Sequence, residues 1–271
     1  MSTSTLQPRV IGRYALFDEI AAGGMAAVHV GRLLGPVGFS RTVAIKRLHA
    51  QFARDPEFVS MFLDEARLAA RIRHPNVVCT LDVVALAGEL FLVMDYVPGE
   101  SLARLMRLSS DLQHPVPLPI ASAILVNVLD GLHAAHEATD DHGVALDIVH
   151  RDVSPHNVLV GSDGVARVLD FGVAKASNRL QTTREGKIKG KLSYMAPEQV
   201  TTREVDRRAD VFALGCVLYE ATVGERPLRC DSSAVALASD NFNSCSRRGT
   251  RIAQPLSRKC RLISPTMVGV A

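Results

Sequence analysis

The stretch from His150 to Gly172, HRDVSPHNVLVGSDGVARVLDFG, decides the fold assignment of this chain. Two apolar runs flank the turn Gly161–Gly164, and this pattern predicts a β-hairpin. Because a hairpin brings its two ends together, we expect Asp152, Asn157 and Asp170 to converge. Two carboxylates and an amide carbonyl are hard oxygen ligands, the kind that Mg²⁺ prefers. The stretch therefore predicts a magnesium site at which the metal carries a nucleotide.

The composition is that of an ordinary globular protein and excludes several classes. The chain has 271 residues, enough for one large domain or two lobes, with 47% apolar and 22% charged residues. It has no apolar run of about 18 residues or more, so we expect no membrane span. Its start lacks the apolar core of a secretory signal. Five cysteines without paired spacing indicate free thiols and a cytoplasmic location.

Basic residues are concentrated at the end of the chain. The net charge is +3, and residues 229–271 alone carry +5, from seven Lys or Arg against two Asp or Glu. The preceding 228 residues therefore carry a net charge of −2. A body of this charge does not favour binding to phosphate backbones, so we expect no nucleic-acid partner.

Two motifs in the central stretch resemble those of protein kinases, in the family's order and spacing. Asn157 follows Asp152 by five residues, and Asp170 follows Asn157 by thirteen. The resemblance implies an α+β, two-lobed fold: a small β-sheet N-lobe with one helix, and a mostly helical C-lobe. It also implies that Asp152 accepts the proton of a substrate hydroxyl, while Asn157 and Asp170 bind Mg²⁺ with ATP. His150 and Phe171 are then expected to pack the two motifs against each other.

The resemblance covers most of the chain and looks closest to bacterial Ser/Thr protein kinases. It implies an N-lobe at residues 14–94, a hinge at 95–100 and a partial C-lobe at 101–228. From residue 229 onward the likeness vanishes, although several more helices are expected in a kinase C-lobe. We expect residues 229–271 to be a poorly ordered basic tail, from a truncated or shifted reading frame, that leaves the C-lobe incomplete.

Residues 14–33 predict two strands around a small-residue turn from Ala21 to Ala26. A plain glycine-containing hairpin is one interpretation. The other is a loop that covers phosphates, because small residues let backbone N–H groups approach oxygen atoms. Gly23 and Val28 match the kinase pattern, whereas alanines replace its first and third glycines. The resemblance implies the following nucleotide-binding residues: Ile20, Ala21, Ala22, Gly23, Gly24, Val28, Ala44, Lys46, Met94, Asp95, Val97, Asn157, Leu159 and Asp170. Glu100 is expected near the ribose.

Lys46 follows the strand-like residues 42–45 and matches the lysine that kinases place on the α- and β-phosphates. A solvated strand end is the alternative. Asp55 and a first-turn proline predict the start of a helix, with Phe58, Met61, Phe62, Leu68 and Ala69 on its apolar face. By the resemblance, Glu65 on this helix forms an ion pair with Lys46; a surface glutamate is the alternative.

The sequence departs from the Ser/Thr-kinase pattern at two positions. Ser154 replaces the usual lysine two residues after Asp152, and Lys191 replaces the usual threonine before the Ala-Pro-Glu motif. In the family these two side chains touch each other beside the catalytic aspartate. We therefore expect Lys191 to supply the positive charge that Ser154 lacks, as a catalytic residue.

The polar segment between Gly172 and Gly190 is compatible with an activation loop. Thr182 and Thr183 lie among basic residues and are the candidate phosphosites, including for autophosphorylation. By the resemblance, Arg151 is positioned to receive the phosphorylated residue. An unmodified mobile loop is the alternative.

Two buried helices are predicted in the C-lobe. One carries an apolar stripe at core spacing: Ile124, Leu125, Val128, Leu132 and Ala135. The other, at residues 206–220, carries Asp210, which by the resemblance holds the backbone of the catalytic loop. Glu198 of the Ala-Pro-Glu motif is expected to lack its usual arginine partner. The candidates by residue type are Arg226, Arg247 and Arg248.

Histidines near residue 140 allow a second metal site, which we consider the less favoured interpretation. His133, His136 and His142 lie near two aspartates, but most such histidines are packed or solvated. Residues 139–147 are expected to form an inserted loop.

The sequence favours an ATP- and Mg²⁺-dependent protein kinase that acts on Ser/Thr hydroxyls of protein substrates. Pro155 and the segment 195–198 favour these hydroxyls over tyrosine. One alternative is a catalytically weak pseudokinase or nucleotide-binding scaffold, because the C-lobe is incomplete. A small-molecule kinase of the same general fold is the other, and the Ala-Pro-Glu segment argues against it.

Overall fold

The computed structural model describes residues 8–112, 114, 116–171, 193–201 and 205–227, without the side chains of Met61, Glu65, Val200 and Thr201. The predictions for Thr182, Thr183, Lys191 and the tail at 229–271 lie outside the described residues.

A six-stranded antiparallel sheet forms the N-terminal part, in the order β1-β2-β3-β4-β6-β5. Its strands are β1 (Arg9–Ile11), β2 (Tyr14–Ala22), β3 (Ala26–Leu34), β4 (Ser40–Leu48), β5 (Thr80–Leu86) and β6 (Glu89–Asp95). The strand β1 pairs with β2 and precedes residue 14, where the N-lobe was expected to begin. Lys46 lies within β4, since that strand continues to Leu48.

The two faces of the sheet bury different apolar clusters, because successive side chains of a strand point to opposite faces. Ala44 and Met94 are paired across β4 and β6, and they pack in a cluster with the helix that follows β4. The alternate residues Val43 and Ile45 pack in a second cluster with Phe91. The alternation places Lys46 on the helix-facing side, with Ala44.

Two helices follow β4: α1 (Ala50–Ala53) and α2 (Pro56–Ala69). The start of α2 is as predicted, because the Asp55 carboxylate accepts hydrogen bonds from the backbone N–H groups of Glu57 and Phe58. Phe58 and Phe62 are buried. The prediction for Leu68 is wrong: this side chain is exposed, and Ala66 occupies the buried face instead.

The C-terminal part contains most of the helices: α3 (Leu102–Asp111), α4 (Leu118–His136), α5 (Pro197–Thr201) and α6 (Arg208–Val223). All five residues of the predicted α4 stripe are buried. They pack with Leu214 and Val217 of α6 in the largest core cluster. Among the described residues, α4 is the one helix long and apolar enough to cross a membrane, and this core packing accounts for its buried stripe.

A small three-stranded sheet positions the central stretch. Its strands are β7 (Gly99–Ser101), β8 (Val158–Gly161) and β9 (Ala166–Val168). The predicted hairpin is confirmed, with Leu159 opposite Arg167. The strand β7 was not predicted; it extends the hairpin by pairing Ser101 with Leu159. The hairpin packs against α4 through Asn127, whose side-chain oxygen accepts from the backbone N–H of Ala166 at 3.0 Å.

Candidate active site

A buried carboxylate on α6 holds the backbone of the loop that carries Asp152. Asp210 has no exposed surface, and it accepts backbone N–H bonds from His150 at 2.9 Å and from Arg151 at 2.8 Å. Arg151 adopts a φ of 65°, in the left-handed region that non-glycine residues rarely adopt. The hydrogen bond from its N–H helps to hold this conformation. The predicted role of Asp210 as the anchor of this loop is confirmed.

His150 joins the two motifs of the central stretch. Its ring lies edge-on to Phe171 with the ring centroids 4.7 Å apart, and Nε2 is 2.7 Å from the carbonyl oxygen of Leu169. The other ring nitrogen, Nδ1, accepts from the backbone N–H of Asp152 at 3.2 Å. With Nδ1 accepting, Nε2 carries the proton that it donates to Leu169. The expected packing of His150 against Phe171 is confirmed.

Asp152 and Asn157 are in direct contact. The Nδ2 group of Asn157 donates to the backbone oxygen of Asp152 at 2.7 Å and to its Oδ2 at 3.0 Å. Because the amide nitrogen is used in this way, the amide oxygen of Asn157 faces a different direction. The backbone oxygen of Asn157 accepts from Leu169, the residue before Asp170, at 2.9 Å. The hairpin thus brings all three oxygen-bearing residues into one neighbourhood.

Lys46 reaches across to Asp170 at the end of this neighbourhood. Its Nζ lies 2.7 Å from Oδ1 of Asp170, and the side chains are 14% and 30% exposed. Asp170 has a φ of 57°, again left-handed. The side chain of Glu65 lies outside the described residues, so the predicted Lys46–Glu65 pair stays a prediction. The β-sheet cation and the hairpin carboxylate therefore meet although 124 residues separate them.

Apolar residues of the sheet lie next to this ion pair. Ala44 and Met94 are paired and buried, and Val28 is paired with Lys46. Met94 and Asp170 also line one cavity together with Phe171. A largely apolar wall beside charged groups is typical of sites for a nucleotide base and its phosphates.

The hinge residues after β6 are partly committed to other contacts. The backbone N–H of Asp95 donates to the carbonyl oxygen of Cys79 at 3.0 Å, so this N–H is already used within the fold. Its carboxylate forms an ion pair with Arg41 at 2.5 Å. Glu100, expected near a ribose, lies in β7 and pairs with Arg104 at 3.0 Å. Val97 is half-buried between these segments.

The glycine-containing turn is shorter than predicted, and the prediction of a turn from Ala21 to Ala26 is wrong. Ala21 is paired with Val28 within β2 and β3, and Ala26 belongs to β3. The turn itself is residues 23–25, closed by a hydrogen bond from Gly23 N–H to the oxygen of Ala26 at 2.8 Å. Four predicted nucleotide-binding residues at this turn are exposed: Ile20, Ala22, Gly23 and Gly24.

Arg226, a candidate partner of Glu198 in the sequence, contacts other residues. Arg226 lies 3.4 Å from Glu220 and over the ring of Tyr194, with its guanidinium carbon 5.7 Å from the centroid. Glu198 lies close enough to Arg208 to interact with it electrostatically. Glu198 is therefore not unpaired; Arg247 and Arg248, the other candidates for its usual partner, lie outside the described residues.

A second metal site near residue 140 is not supported. His136 is 7% exposed, and its Nε2 lies 2.8 Å from Oδ2 of Asp210. Asp140 instead accepts backbone N–H bonds from Val144 and His142, which lower the pKa of its carboxyl. Within the part of the chain that the structure describes, no cluster of three or more His, Cys, Asp or Glu could hold a metal ion. The two described cysteines, Cys79 and Cys216, are free thiols as expected.

Sequence reasoning missed one residue that touches the catalytic loop. The side-chain amide of Gln199 donates to the backbone oxygen of Arg151 at 2.8 Å and accepts from the backbone N–H of Ala196 at 2.9 Å. Its position directly after Glu198 was visible, but nothing in the sequence indicates which way an amide side chain points.

Comparisons with known proteins agree with this geometry. The family model described as "Protein kinase domain" matches residues 16–266. The matched range continues beyond residue 228, so the incompleteness of the C-lobe stays a prediction. The "Tyrosine-protein kinase MasK" of Myxococcus xanthus is 46% identical over 232 residues, 86% of this chain and 36% of that protein. The "Serine/threonine-protein kinase PknB" of Mycobacterium leprae is 36% identical over 84% of this chain and 35% of that protein.

A solved structure has the same architecture. The PknI kinase domain of Mycobacterium tuberculosis superposes with a TM-score of 0.64 at 27% identity, over 84% of this chain and 78% of that one. The chain spans about a third of the length of the curated relatives it matches. Since the family model covers well over half of the residues and the two-lobed architecture recurs in the solved structure, this chain belongs to the protein kinase family.

Proposed function

We propose that this chain transfers the γ-phosphoryl group of Mg-ATP to Ser and Thr hydroxyls of proteins. The observation that carries the proposal is the Lys46–Asp170 ion pair beside the bonded Asp152–Asn157 pair. Phosphoryl transfer requires positive charge at the phosphates, oxygen ligands for the metal and a base for the acceptor. These four residues supply that set.

The donor set fits magnesium and a triphosphate. Asn157 offers its amide oxygen, because its amide nitrogen is bonded to Asp152, and Asp170 offers a carboxylate. Both are hard oxygen ligands, and two protein ligands suffice when phosphate oxygens and water complete an octahedron. When bound, the metal would neutralise charge that develops on the phosphate oxygens. In the proposal, Lys46 holds the phosphates from the sheet side, with Ala44 and Met94 against the base.

The chemistry assigned to the chain's own residues is simple. Asp152 accepts the proton of the acceptor hydroxyl as that oxygen bonds to the γ-phosphorus. The bond from phosphorus to the β,γ-bridging oxygen breaks, and ADP leaves with both electrons of that bond. Asn157 orients the Asp152 carboxylate through its 3.0 Å contact. Lys191 is proposed to supply the positive charge beside the γ-phosphate that Ser154 cannot supply.

Tyrosine is the second candidate acceptor. The relative at 46% identity bears the name of a tyrosine-protein kinase, whereas the relatives at 36–37% are named serine/threonine-protein kinases. The position two residues after Asp152 is the buried Ser154, which is smaller than the lysine of the Ser/Thr pattern. A small residue there leaves more room beside the base.

Regulation follows from the same arrangement. Arg151 is half-buried and directly precedes Asp152 in the catalytic loop. We propose that phosphorylated Thr182 or Thr183 pairs with it and orders the acceptor side of the site. The relatives named PknB and PknH are protein kinases, so autophosphorylation is included in the proposal. A cytoplasmic location is part of it too.

The decisive test uses radiolabelled ATP, Mg²⁺ and a generic protein substrate, comparing the unaltered chain with Asp152→Asn. We expect labelled phosphoserine and phosphothreonine from the first and a loss of at least about 10²-fold from the second. Acid hydrolysis of the product then separates the acceptors, and label on tyrosine alone would replace the Ser/Thr assignment. No transfer by the unaltered chain, with ATP still bound, would favour a pseudokinase.

The proposed role of Lys191 has its own test. Lys191→Ala should lower phosphoryl transfer about as much as the Asp152 substitution, on the order of 10²-fold. Lys189→Ala, which removes the same charge two residues earlier, is the matched control and should retain activity. A fully active Lys191→Ala protein would exclude the exchange of charge with Ser154.

A further inference from the structure

The side chain of Gln199 connects two parts of the site that the chain folds separately. Its Oε1 accepts from the backbone N–H of Ala196 at 2.9 Å, within the Ala-Pro-Glu segment. Its Nε2 donates to the backbone oxygen of Arg151 at 2.8 Å, in the catalytic loop. Forty-eight residues separate Gln199 from Arg151. A single amide therefore uses its donor and its acceptor to join the two segments.

The contact falls on the peptide unit that leads into Asp152. The carbonyl bonded by Gln199 belongs to the Arg151–Asp152 peptide, and the N–H on the other side of Arg151 is held by Asp210 at 2.8 Å. Arg151 is thus fixed on both sides while its φ is 65°. Since the peptide plane sets where the next Cα lies, the bond to Gln199 constrains Asp152.

The other end of the bridge lies where the chain is tightly packed. Ala196 is fully buried and Tyr194 is 4% exposed, so the backbone N–H of Ala196 has little freedom to move. A donor in such surroundings needs an acceptor, and leaving it without one is costly. The side-chain oxygen of Gln199 is this acceptor, and the second hydrogen bond of the same amide connects the catalytic loop to the packed segment.

We infer that Gln199 is a positioning residue that aligns Asp152 with the acceptor-side segment 193–198. The inference rests on the proposed kinase activity, because it assigns this segment to the protein acceptor. Gln199 itself touches neither ATP nor acceptor in this assignment. Its loss should therefore affect transfer to a protein hydroxyl while leaving nucleotide binding intact.

Two substitutions test the two hydrogen bonds of Gln199 separately. Gln199→Ala removes both hydrogen bonds. Gln199→Glu keeps an oxygen for Ala196 but sets a carboxylate oxygen against the carbonyl of Arg151. Gln51, which is exposed on α1, provides matched controls through Gln51→Ala and Gln51→Glu. The measurements are kcat and KM for a protein acceptor, and the Kd for Mg-ATP.

We expect Gln199→Ala to lower kcat/KM for the protein acceptor on the order of 10-fold, with the Kd for Mg-ATP within about 2-fold of the unaltered chain. Gln199→Glu should lose at least as much near neutral pH, because two oxygen atoms without a proton between them repel. Both Gln51 variants should match the unaltered chain.

A pH profile separates positioning from a general structural effect. A carboxyl that faces a carbonyl oxygen has its pKa raised above the usual value of about 4.3, and once protonated it can donate to that carbonyl. The activity of Gln199→Glu relative to the unaltered chain should therefore rise as the pH falls from about 8 to about 6. The relative activity of Gln199→Ala should stay flat.

Three results would overturn the inference. The first is unchanged acceptor kinetics in both Gln199 variants. The second is an equal loss of acceptor transfer and Mg-ATP binding, which would indicate general destabilisation. The third is a flat pH profile for Gln199→Glu. Inactivity of the unaltered chain with every acceptor would instead refute the proposed function, so the two failures are distinguishable.

Discussion

Asp210 and Asp170 are carboxylates at opposite ends of the same site, and their surroundings differ. Asp210 is fully buried and accepts from two backbone N–H groups and from His136. Asp170 is 30% exposed and pairs with Lys46 across the cleft. The first carboxylate is surrounded by fixed donors of the fold, whereas the second pairs with a side-chain ammonium and lines a cavity. Burial with fixed donors indicates a structural anchor, and exposure beside a cation indicates a ligand site.

The largest effect should come from Asp210. Asp210→Ala leaves two backbone donors and His136 without their common acceptor inside the core, so we expect a loss of about 3–5 kcal/mol in the free energy of unfolding. Urea denaturation followed by circular dichroism measures it. Asp130→Ala, at an exposed position on α4, should stay within about 0.5 kcal/mol of the unaltered chain. If Asp210→Ala lowered the free energy of unfolding only slightly, the contrast between the two carboxylates would not hold.

Substitution of Asp170 should affect activity strongly and stability only slightly. On the proposed function, Asp170→Asn removes a charge that binds the metal, so we expect phosphoryl transfer to fall on the order of 10²-fold or more. The free energy of unfolding should change by about 1 kcal/mol or less, because the ion pair is partly exposed. Asp163→Asn, in the exposed hairpin turn, is the matched control for activity. If Asp170→Asn unfolded the protein and kept its activity, the distinction would be wrong.

The same contrast explains what the sequence could predict. The hairpin, the α2 cap at Asp55 and the α4 stripe follow from local patterns of turn residues and periodicity, and the structure confirms them. The anchor Asp210 was found through its motif. Such features depend on residues close together in sequence or at fixed family spacing.

Contacts made by the far ends of side chains were not predictable. Nothing local indicates that Lys46 contacts Asp170 or that Gln199 reaches Arg151. Leu68 was misplaced because a helix period cannot tell which edge of an apolar face the core covers. These positions are fixed by tertiary packing, which sequence spacing does not encode.

His136 offers a smaller test of the buried anchor. His136→Leu removes the side-chain donor but leaves the two backbone donors of Asp210, so the loss in the free energy of unfolding should be about 1–3 kcal/mol. His133→Leu, one turn earlier on the exposed face of α4, is the control and should change little. Combining His136→Leu with Asp210→Ala should cost less than the sum of the two separate losses, as expected for one network. Additive losses would mean that the two residues act independently.

The smallest effect concerns alkaline pH and Tyr194, which lies within the acceptor-side segment. Burial, and then its hydrogen bond to Glu220, raise the pKa of the Tyr194 hydroxyl well above 10. A group whose pKa is higher in the folded state contributes stability below its unfolded pKa and loses it as the pH rises toward the folded value. Between about pH 8 and about pH 10.5 the unaltered chain should therefore lose about 1 kcal/mol in the free energy of unfolding through this group.

Tyr194→Phe should show a smaller alkaline loss, because the ionisable hydroxyl is gone. It should also be less stable near neutral pH, since Glu220 loses a donor in a half-buried place. Tyr96→Phe, at an exposed hinge position, controls for the removal of one tyrosine and should keep the full alkaline loss. If the alkaline loss were the same in all three proteins, the region around Tyr194 would be open to solvent, and the acceptor-side segment would be as exposed as the Lys46–Asp170 end.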